Sequence, residues 1–273
     1  MYLSYKDKIY IDISFWDNYN SLHPEGGDGV PYLSKREIEA IATRVINAYQ
    51  RMVGTTGPMS QRVCPGLLIQ DLLGLDITYR TLSIDGSILG MTAFDQVGVR
   101  VYENKNPTHF FLDGKTVLIE SALTEPDANP GRLHFTLVHE ASHQILKMLF
   151  PKEYASGINH RHVYCCTDSS IRYGGRQVDW EEWRVNMLTA AILMPLDLLV
   201  KQMKAVGLYS KIRMLNRVFA PKEYQAFATV AENLGVSKAA LSIRLKQLGL
   251  LTRNDLKDPY ALVRIEPDEE ELF

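Results

Sequence analysis

The sequence predicts an α+β fold, in which a small antiparallel sheet packs against helices and a further helical segment follows. Two observations support this prediction. Apolar residues recur at helical spacing in residues 35–50 and again in 132–149. Between them, residues 76–120 contain short runs in which apolar and polar side chains alternate, the pattern of half-buried strands. Helical spacing returns after residue 179 and continues to about residue 250.

Composition places the chain among ordinary globular proteins and excludes several other classes. Of its 273 residues, 46% are hydrophobic and 23% are charged, so one large or two small domains can form a core. The net charge of −2 provides no general electrostatic attraction to nucleic acid or to an anionic membrane. Three cysteines do not suit a disulfide framework, and the N-terminus has no apolar signal core. We therefore predict a cytoplasmic protein without a membrane partner.

The first elements are an N-terminal extension and two helices. Residues 1–30 are predicted as an extension that ends in a glycine-rich loop. Ser34 stands three residues before Glu37, which is the spacing of a capping box at the start of a helix. A second, shorter helix is predicted from Gly66 to Leu73, with Gly74 ending it.

Four short runs then have the alternation of β-strands. They cover residues 77–82, 91–94, 97–102 and 115–120. Because tight, turn-rich loops join them, an antiparallel meander is the natural interpretation. The order of helices and strands favours a sheet with helices against one face.

The stretch from Arg132 to Leu149 contains His139, Glu140 and His143 in an otherwise apolar run. On a helix, residues four apart lie on one face, so both imidazoles can point at one ion. A carboxylate beside them could accept a proton from water activated by that ion, which is the arrangement of a zinc hydrolase. Since the flanking residues are apolar nearly all round, the helix is predicted to be buried. Polar side chains in such a place are costly without a partner such as a metal.

A further helix, predicted to run from Asp179 and to end at Pro195, is expected to supply a third metal ligand. Glu182 is our choice. Asn186 lies one turn further on the same face, where it could hydrogen-bond a ligand. Glu181 and Asp179 are competing carboxylates that periodicity alone does not exclude.

Between these helices, residues 151–178 are predicted to form a polar loop. His160, His162, Cys165 and Cys166 could form a second metal site, since their side chains suit zinc. Their spacing matches no standard structural zinc motif. We favour a loop that lines an active-site cleft.

Residues 224–250 resemble a helix-turn-helix segment whose second helix begins at Ser237. Lys238, Arg244 and Lys246 could face phosphate, although basic residues are few and a purely structural helical subdomain is the simpler interpretation. The predicted organisation is therefore an extension (1–30), a domain with the candidate zinc-hydrolase site (31–206), a helix-turn-helix-like subdomain (207–256) and an acidic tail (257–273).

Taken together, the motifs resemble one family. They comprise Arg132, Phe135–Leu137, His139, Glu140, His143, Glu182, Asn186 and Leu193–Pro195. This set is similar to the ImmA/IrrE family of metallopeptidases; the likeness in element order runs from about Ile38 to Leu250. The resemblance implies one Zn²⁺ ion bound by His139, His143 and Glu182, with Glu140 as the catalytic base. The chain departs from the family pattern at Ser142, where Gly is usual, and at Val185, where Ala is usual.

The function implied by the resemblance is a zinc-dependent endopeptidase acting on a specific regulatory protein, such as a transcriptional repressor. Glu140 would accept a proton from the attacking water and pass it to the leaving amine. A group that stabilises the oxyanion is also expected, and the sequence does not choose among the candidates. They are His160, His162, Tyr164, Arg172 and Tyr173.

Two other classes of function compete with the peptidase. One is a DNA-binding transcriptional regulator with a structural or sensory zinc site, and the other is a partner-binding module without turnover. Glu140 distinguishes them best, because a structural zinc site has no need of a carboxylate between its two histidines.

Overall fold

The computed structural model describes residues 33–54, 62–151, 154, 163–167 and 179–260. Its α-helices are α1 (Lys35–Val53), α2 (Pro130–Leu149), α3 (Trp180–Leu193), α4 (Leu196–Ala205), α5 (Pro221–Leu234) and α6 (Lys238–Gln247). Its strands are β1 (Asp76–Arg80), β2 (Ile88–Ala93), β3 (Gln96–Glu103), β4 (Asn106–Asp113), β5 (Thr116–Glu120), β6 (Val163–Thr167), β7 (Ile212–Leu215) and β8 (Leu251–Asn254). A π-helical segment (Leu67–Leu72) and a 3₁₀ turn (Ser121–Thr124) complete these elements. The mixture of helix and sheet confirms the predicted α+β class.

Helix α1 begins as its sequence predicts. The Ser34 side chain accepts a hydrogen bond from the backbone N–H of Glu37, and the Glu37 carboxylate accepts one from the backbone N–H of Ser34. The helix buries a single apolar face made of Ile38, Ile41, Ala42, Val45, Ile46 and Tyr49. The second predicted helix is present, but its hydrogen bonds are of the π type over Leu67–Leu72.

The predicted antiparallel meander is wrong in its pairing. The main sheet has the order β1-β5-β2-β6, in which β1 pairs with β5 in parallel and the other pairs are antiparallel. Strands β3 and β4 form a separate hairpin inserted between β2 and β5. Alternation of apolar and polar residues identifies strands but not their partners, because it reports only which face of each strand is buried.

Strand β6 corrects a second prediction, since residues 151–178 were expected to be a polar loop. Val163–Thr167 pair with β2 at the end of the main sheet. Along this strand Tyr164 and Cys166 are buried, and the other three residues, Val163, Cys165 and Thr167, are half-buried. Such a short run of alternating burial, inside a polar stretch, gives only a weak signal in sequence.

The main sheet is covered on both faces, which explains why every residue of β5 is buried. Val117 and Ile119 belong to the large core shared with the helices. Leu118, between them, belongs to a smaller core that the β3–β4 hairpin covers with Val99 and Leu112. The expectation of helices against one face is met, and the hairpin covers the opposite face.

The C-terminal part contains the predicted helices α5 and α6, with Ser237 capping α6 through the backbone N–H of Ala240. It also contains strands β7 and β8, which pair in parallel and were not predicted. Its turn lies against the start of α2: a Cβ atom at Gly131 would lie 3.0 Å or less from backbone atoms of Val236 and Ser237. These helices add residues to the same large core as α2 and α3.

Over the residues described, no single helix is long and apolar enough to cross a membrane. Helices α3 and α4 have the required length and hydropathy only when they are counted together, and a bend of 51° separates them. The predicted extension and nearly all of the acidic tail lie outside the described residues.

Candidate metal centre

Two helices with well-defined starts bring the predicted site residues together. Asn129 caps the start of α2, because its side chain accepts the N–H of Gly131, and the helix holds His139 and His143 one turn apart. Helix α3 packs against α2 and is capped by Asp179. Both histidines are fully buried, with 0% of their surface exposed.

Glu182 on α3 faces both imidazoles. Its Oε2 lies 3.3 Å from Nε2 of His139, and its Oε1 lies 3.5 Å from Nε2 of His143. Ligand atoms about 2.1 Å from a tetrahedral ion are roughly 3.4 Å apart, so both separations leave room for one ion between these side chains. The three side chains thus form a group that could hold a metal ion.

The competing carboxylates lie elsewhere. The Asp179 side chain caps α3 by accepting the backbone N–H groups of Glu181 and Glu182. Glu181 lies on the far side of His143, with its Oε1 4.0 Å from Nδ1. Geometry therefore favours Glu182, of the three acids, as the carboxylate that shares an ion with the histidines.

Asn186 orients the first histidine. Its Oδ1 lies 3.2 Å from Nδ1 of His139, so this nitrogen donates and the lone pair is left on Nε2, facing Glu182. Burial lowers the pKa of His139, which keeps the imidazole neutral, and Glu182 only partly offsets this. A neutral imidazole with Nε2 unprotonated is the form that binds a metal.

The electrostatics of Glu182 point the same way. Burial opposes its ionisation, but the two imidazoles beside it outweigh this and hold the pKa of the carboxyl well below its usual range. Among the described residues, Nε2 of His139, Nε2 of His143 and Oε2 of Glu182 have no hydrogen-bond partner. Buried polar atoms normally have one, so this donor set fits a metal ion.

Glu140 lies under the sheet, fully buried, and neither carboxylate oxygen has a hydrogen-bond partner in the described part of the chain. Burial and the negative charge of Glu182 raise the pKa of Glu140 well above its usual range, and the backbone N–H of Cys166, which lies nearby but outside hydrogen-bond geometry, offsets this only in part. The strand above it carries Gly90, where a Cβ atom would lie 2.7 Å from Oε1 of Glu140 and 2.9 Å from Thr136. Only glycine leaves room for the carboxylate here.

Strand β6 runs over the site. The Tyr164 ring packs on His143 with centroids 4.5 Å apart. Two residues along, the Cys166 sulfur belongs to a second group with His139 and Glu140, whose candidate ligand atoms all lie within 4.8 Å of one another. Of the five oxyanion candidates, Tyr164 is therefore at the site through its ring. His160, His162, Arg172 and Tyr173 lie outside the described residues.

Sequence reasoning missed Gly90 and Tyr154, which shape the site, and it named Cys166 only as a candidate ligand in a different set, with His160, His162 and Cys165. Gly90 and Cys166 lie on opposite strands and are register partners above Glu140. Tyr154 is also buried, and burial together with the negative charge of Glu181 raises the pKa of its hydroxyl well above the usual range. A glycine inside an apolar strand was the one signal that could have been used, because it often marks close approach of another group.

Of the three basic residues proposed to face phosphate, Arg244 is excluded by its position. Its side chain is fully buried and forms a two-pronged ion pair with Glu39. Lys238 lies on the surface, where its Nζ donates to the hydroxyl of Tyr224. Lys246 is exposed.

Searches against protein-family models and against curated proteins found no match. The resemblance to the ImmA/IrrE family therefore stays a prediction from the motifs.

Proposed function

We propose that this chain is a zinc-dependent endopeptidase of the ImmA/IrrE type that cleaves a specific regulatory protein, such as a transcriptional repressor. The observation that supports this best is the Glu140 carboxylate, which is fully buried without a hydrogen-bond partner among the described residues. It lies beside a three-residue donor set that does not need it for binding. A carboxylate kept in so unfavourable a place suits a general base better than a structural part of the fold.

Each residue has a chemical role in this proposal. His139, His143 and Glu182 hold the ion, and Asn186 fixes the His139 ring. When bound, Zn²⁺ supplies Lewis acidity that polarises the scissile carbonyl and acidifies a water molecule. The Glu140 carboxylate accepts the proton of the attacking water and delivers it to the amine that leaves. The raised pKa of Glu140 makes its carboxylate a stronger base than that of an ordinary glutamate.

The position of β6 supports a peptide as the substrate. Among the described residues, β6 is an edge strand of the main sheet, and it pairs on one side with β2. An extended peptide that adds to its other side would receive main-chain hydrogen bonds along the strand. Tyr164 contacts His143 and Cys166 lies near Glu140, so the peptide would run alongside the donor set.

A DNA-binding regulator gains no support from the described residues. Arg244 is buried in an ion pair, which leaves Lys238 and Lys246 as the basic side chains of α6 that solvent can reach. Two lysines on one helix are a weak basis for phosphate binding.

The test combines metal analysis with substrate mapping. The purified chain should hold one zinc ion, and Glu182→Ala should lose it while Glu181→Ala keeps it. The loaded enzyme is then incubated with the repressor-type protein encoded beside it and with a peptide library, and new termini are mapped by mass spectrometry.

Glu140→Gln should keep the ion and lose roughly 10²–10⁴-fold in cleavage rate, the usual contribution of a general base. The exposed acid Glu125 provides a control, since Glu125→Gln should cleave normally. Full cleavage by metal-loaded Glu140→Gln would contradict the assigned role. Absence of a bound metal, or of metal-dependent cleavage in both substrate pools, would contradict the proposed function.

A further inference from the structure

The buried thiol of Cys166 lies beside Glu140, the proposed general base, but it has no role in the proposed mechanism. Cys166 has 0% of its surface exposed, and its sulfur lies with ligand atoms of His139 and Glu140 in a group whose members are all within 4.8 Å of one another. Its neighbour Cys165 faces the opposite side of β6, where it packs on the small core under the hairpin. The two adjacent cysteines therefore have different surroundings.

The partners of Cys166 are themselves unsatisfied. Both carboxylate oxygens of Glu140 and Nε2 of His139 are buried and have no hydrogen-bond partner among the residues described. Thiolate, imidazole and carboxylate are all zinc ligands. Ligand atoms of a tetrahedral ion with one sulfur are about 3.6 Å apart, so shifts of roughly an ångström would close this group around an ion.

We propose that His139, Glu140 and Cys166 form a second metal position, selective for thiophilic divalent ions such as Zn²⁺ and Cd²⁺. On binding, the Cys166 thiol loses its proton to solvent and the sulfur bonds to the ion, with no change of oxidation state. Thiolate ligands favour soft ions over Mg²⁺ or Mn²⁺, which prefer oxygen.

The two positions exclude each other because both draw on one nitrogen. Nδ1 of His139 is engaged with Asn186, which leaves Nε2 as its ligand atom in either set. One ion thus lies either with His143 and Glu182 or with Glu140 and Cys166.

The second position has a regulatory consequence that rests on the proposed function. An ion there bonds to the Glu140 carboxylate, which hydrolysis requires free, so the chain is held in a resting state.

The experiment is a titration of the full-length, metal-free, reduced protein with Cd²⁺ alone. Binding is followed by the ultraviolet charge-transfer band that cadmium–thiolate bonds produce and that nitrogen or oxygen ligands do not. We expect one equivalent of Cd²⁺ to develop the band in the wild-type chain. The band should also develop in His143→Ala, which retains the second donor set.

Cysteine variants identify the sulfur. Cys166→Ser and Cys166→Ala should lose the band, while Cys165→Ser and Cys64→Ser keep it, with circular dichroism checking that each variant is folded. Removing a group that hydrogen-bonds to a metal ligand lowers metal affinity roughly 10–100-fold. Because Glu140 is proposed as a direct ligand, Glu140→Ala should lower the affinity for Cd²⁺ in the thiolate-bound form by at least that factor.

The outcomes separate this inference from the proposed function. A wild-type chain that binds one ion without a thiolate band, or a band that survives in both Cys166 variants, would overturn the second position and leave the peptidase proposal intact. A thiolate band in the wild-type chain, together with no cleavage by the zinc-loaded wild type or by zinc-loaded Cys166→Ser, which lacks the second position, would support the second position and contradict the peptidase proposal.

Discussion

Two buried clusters of charged side chains differ in how completely the protein satisfies them. Arg244, on α6, donates from Nη1 and Nη2 to the two oxygens of Glu39 and from Nε to the carbonyl of Met194. Glu140, on α2, is equally buried, yet neither of its oxygens has a hydrogen-bond partner in the described residues. The first cluster is complete within the chain, and the second is not.

We interpret this difference as that between a structural role for Arg244 and the proposed functional role of Glu140. A buried charge with all its hydrogen bonds made joins elements of the fold, and here it joins α6 to α1 and to the end of α3. A buried ionisable group without them lowers stability, which suggests that the chain retains it for a purpose outside folding. Substitutions in the two clusters should therefore have effects of opposite sign.

The largest effect is expected at Arg244. Arg244→Ala removes three donors from a buried site, and loss of one partner of a buried pair costs about 3–5 kcal/mol. Because the Glu39 side chain keeps 35% of its surface exposed, we expect about 3 kcal/mol less unfolding free energy, measured by denaturant titration. Lys246→Ala, on the exposed side of the same helix, should change it by less than about 0.5 kcal/mol. A loss at Arg244 below about 1 kcal/mol would mean that the pair behaves like a surface salt bridge.

A smaller loss of unfolding free energy is expected at Gly90, where β2 contacts the Glu140 carboxylate. Gly90→Ala places a methyl group 2.7 Å from Oε1 of Glu140 and 2.9 Å from Thr136, and overpacking of this kind costs about 2 kcal/mol. Gly98→Ala is the matched strand control, because the three atoms nearest to its methyl group would all belong to the exposed Phe111 ring, the closest at 3.3 Å. The double variant Gly90→Ala/Glu140→Ala should recover part of the loss. An additive result in the double-mutant cycle would show that the methyl group and the carboxylate do not meet.

At Glu140 itself, a substitution should raise the free energy of unfolding and not lower it. In metal-free protein, Glu140→Met replaces an unsatisfied carboxyl group with an apolar side chain of similar length. We expect the unfolding free energy to rise by about 1–2 kcal/mol, in thermal or denaturant unfolding. Glu140→Gln should gain less, because its amide also needs hydrogen bonds that the site does not offer. Destabilisation by Glu140→Met would indicate that the chain does satisfy this carboxylate and that the contrast with Arg244 is wrong.

The sequence predicts the helices of the site better than its sheet. The capping box at Ser34 and the spacing of His139 and His143 are local, and local geometry follows from helical periodicity. The pairing of β1 with β5 is not local, and nothing within either strand specifies it. The choice between Glu181 and Glu182 was also open, because it depends on how α3 is rotated against α2, which only their packing determines.

The smallest expected effect concerns the crossing of α2 and α3, behind the donor set. Ser142 stands where the family that the motifs resemble usually has glycine. Its hydroxyl donates a hydrogen bond to the carbonyl of Val138 at 2.7 Å. The Thr189 hydroxyl lies 3.1 Å from it and 2.8 Å from the carbonyl of Val185. Since Thr189 has one proton to donate, these two hydrogen bonds are alternatives, and the contact between the hydroxyls is only partly made.

A double-mutant cycle with Ser142→Ala and Thr189→Val should therefore measure a coupling of about 0.5 kcal/mol, at the lower end for a neutral hydrogen bond. Each single variant should cost about 1 kcal/mol and leave zinc binding unchanged, because neither side chain belongs to the donor set. A coupling near zero would mean that Thr189 donates to Val185 throughout, and that Ser142 is accommodated by the helix backbone alone. A loss of zinc affinity would instead show that this crossing sets the distance between the histidines and Glu182.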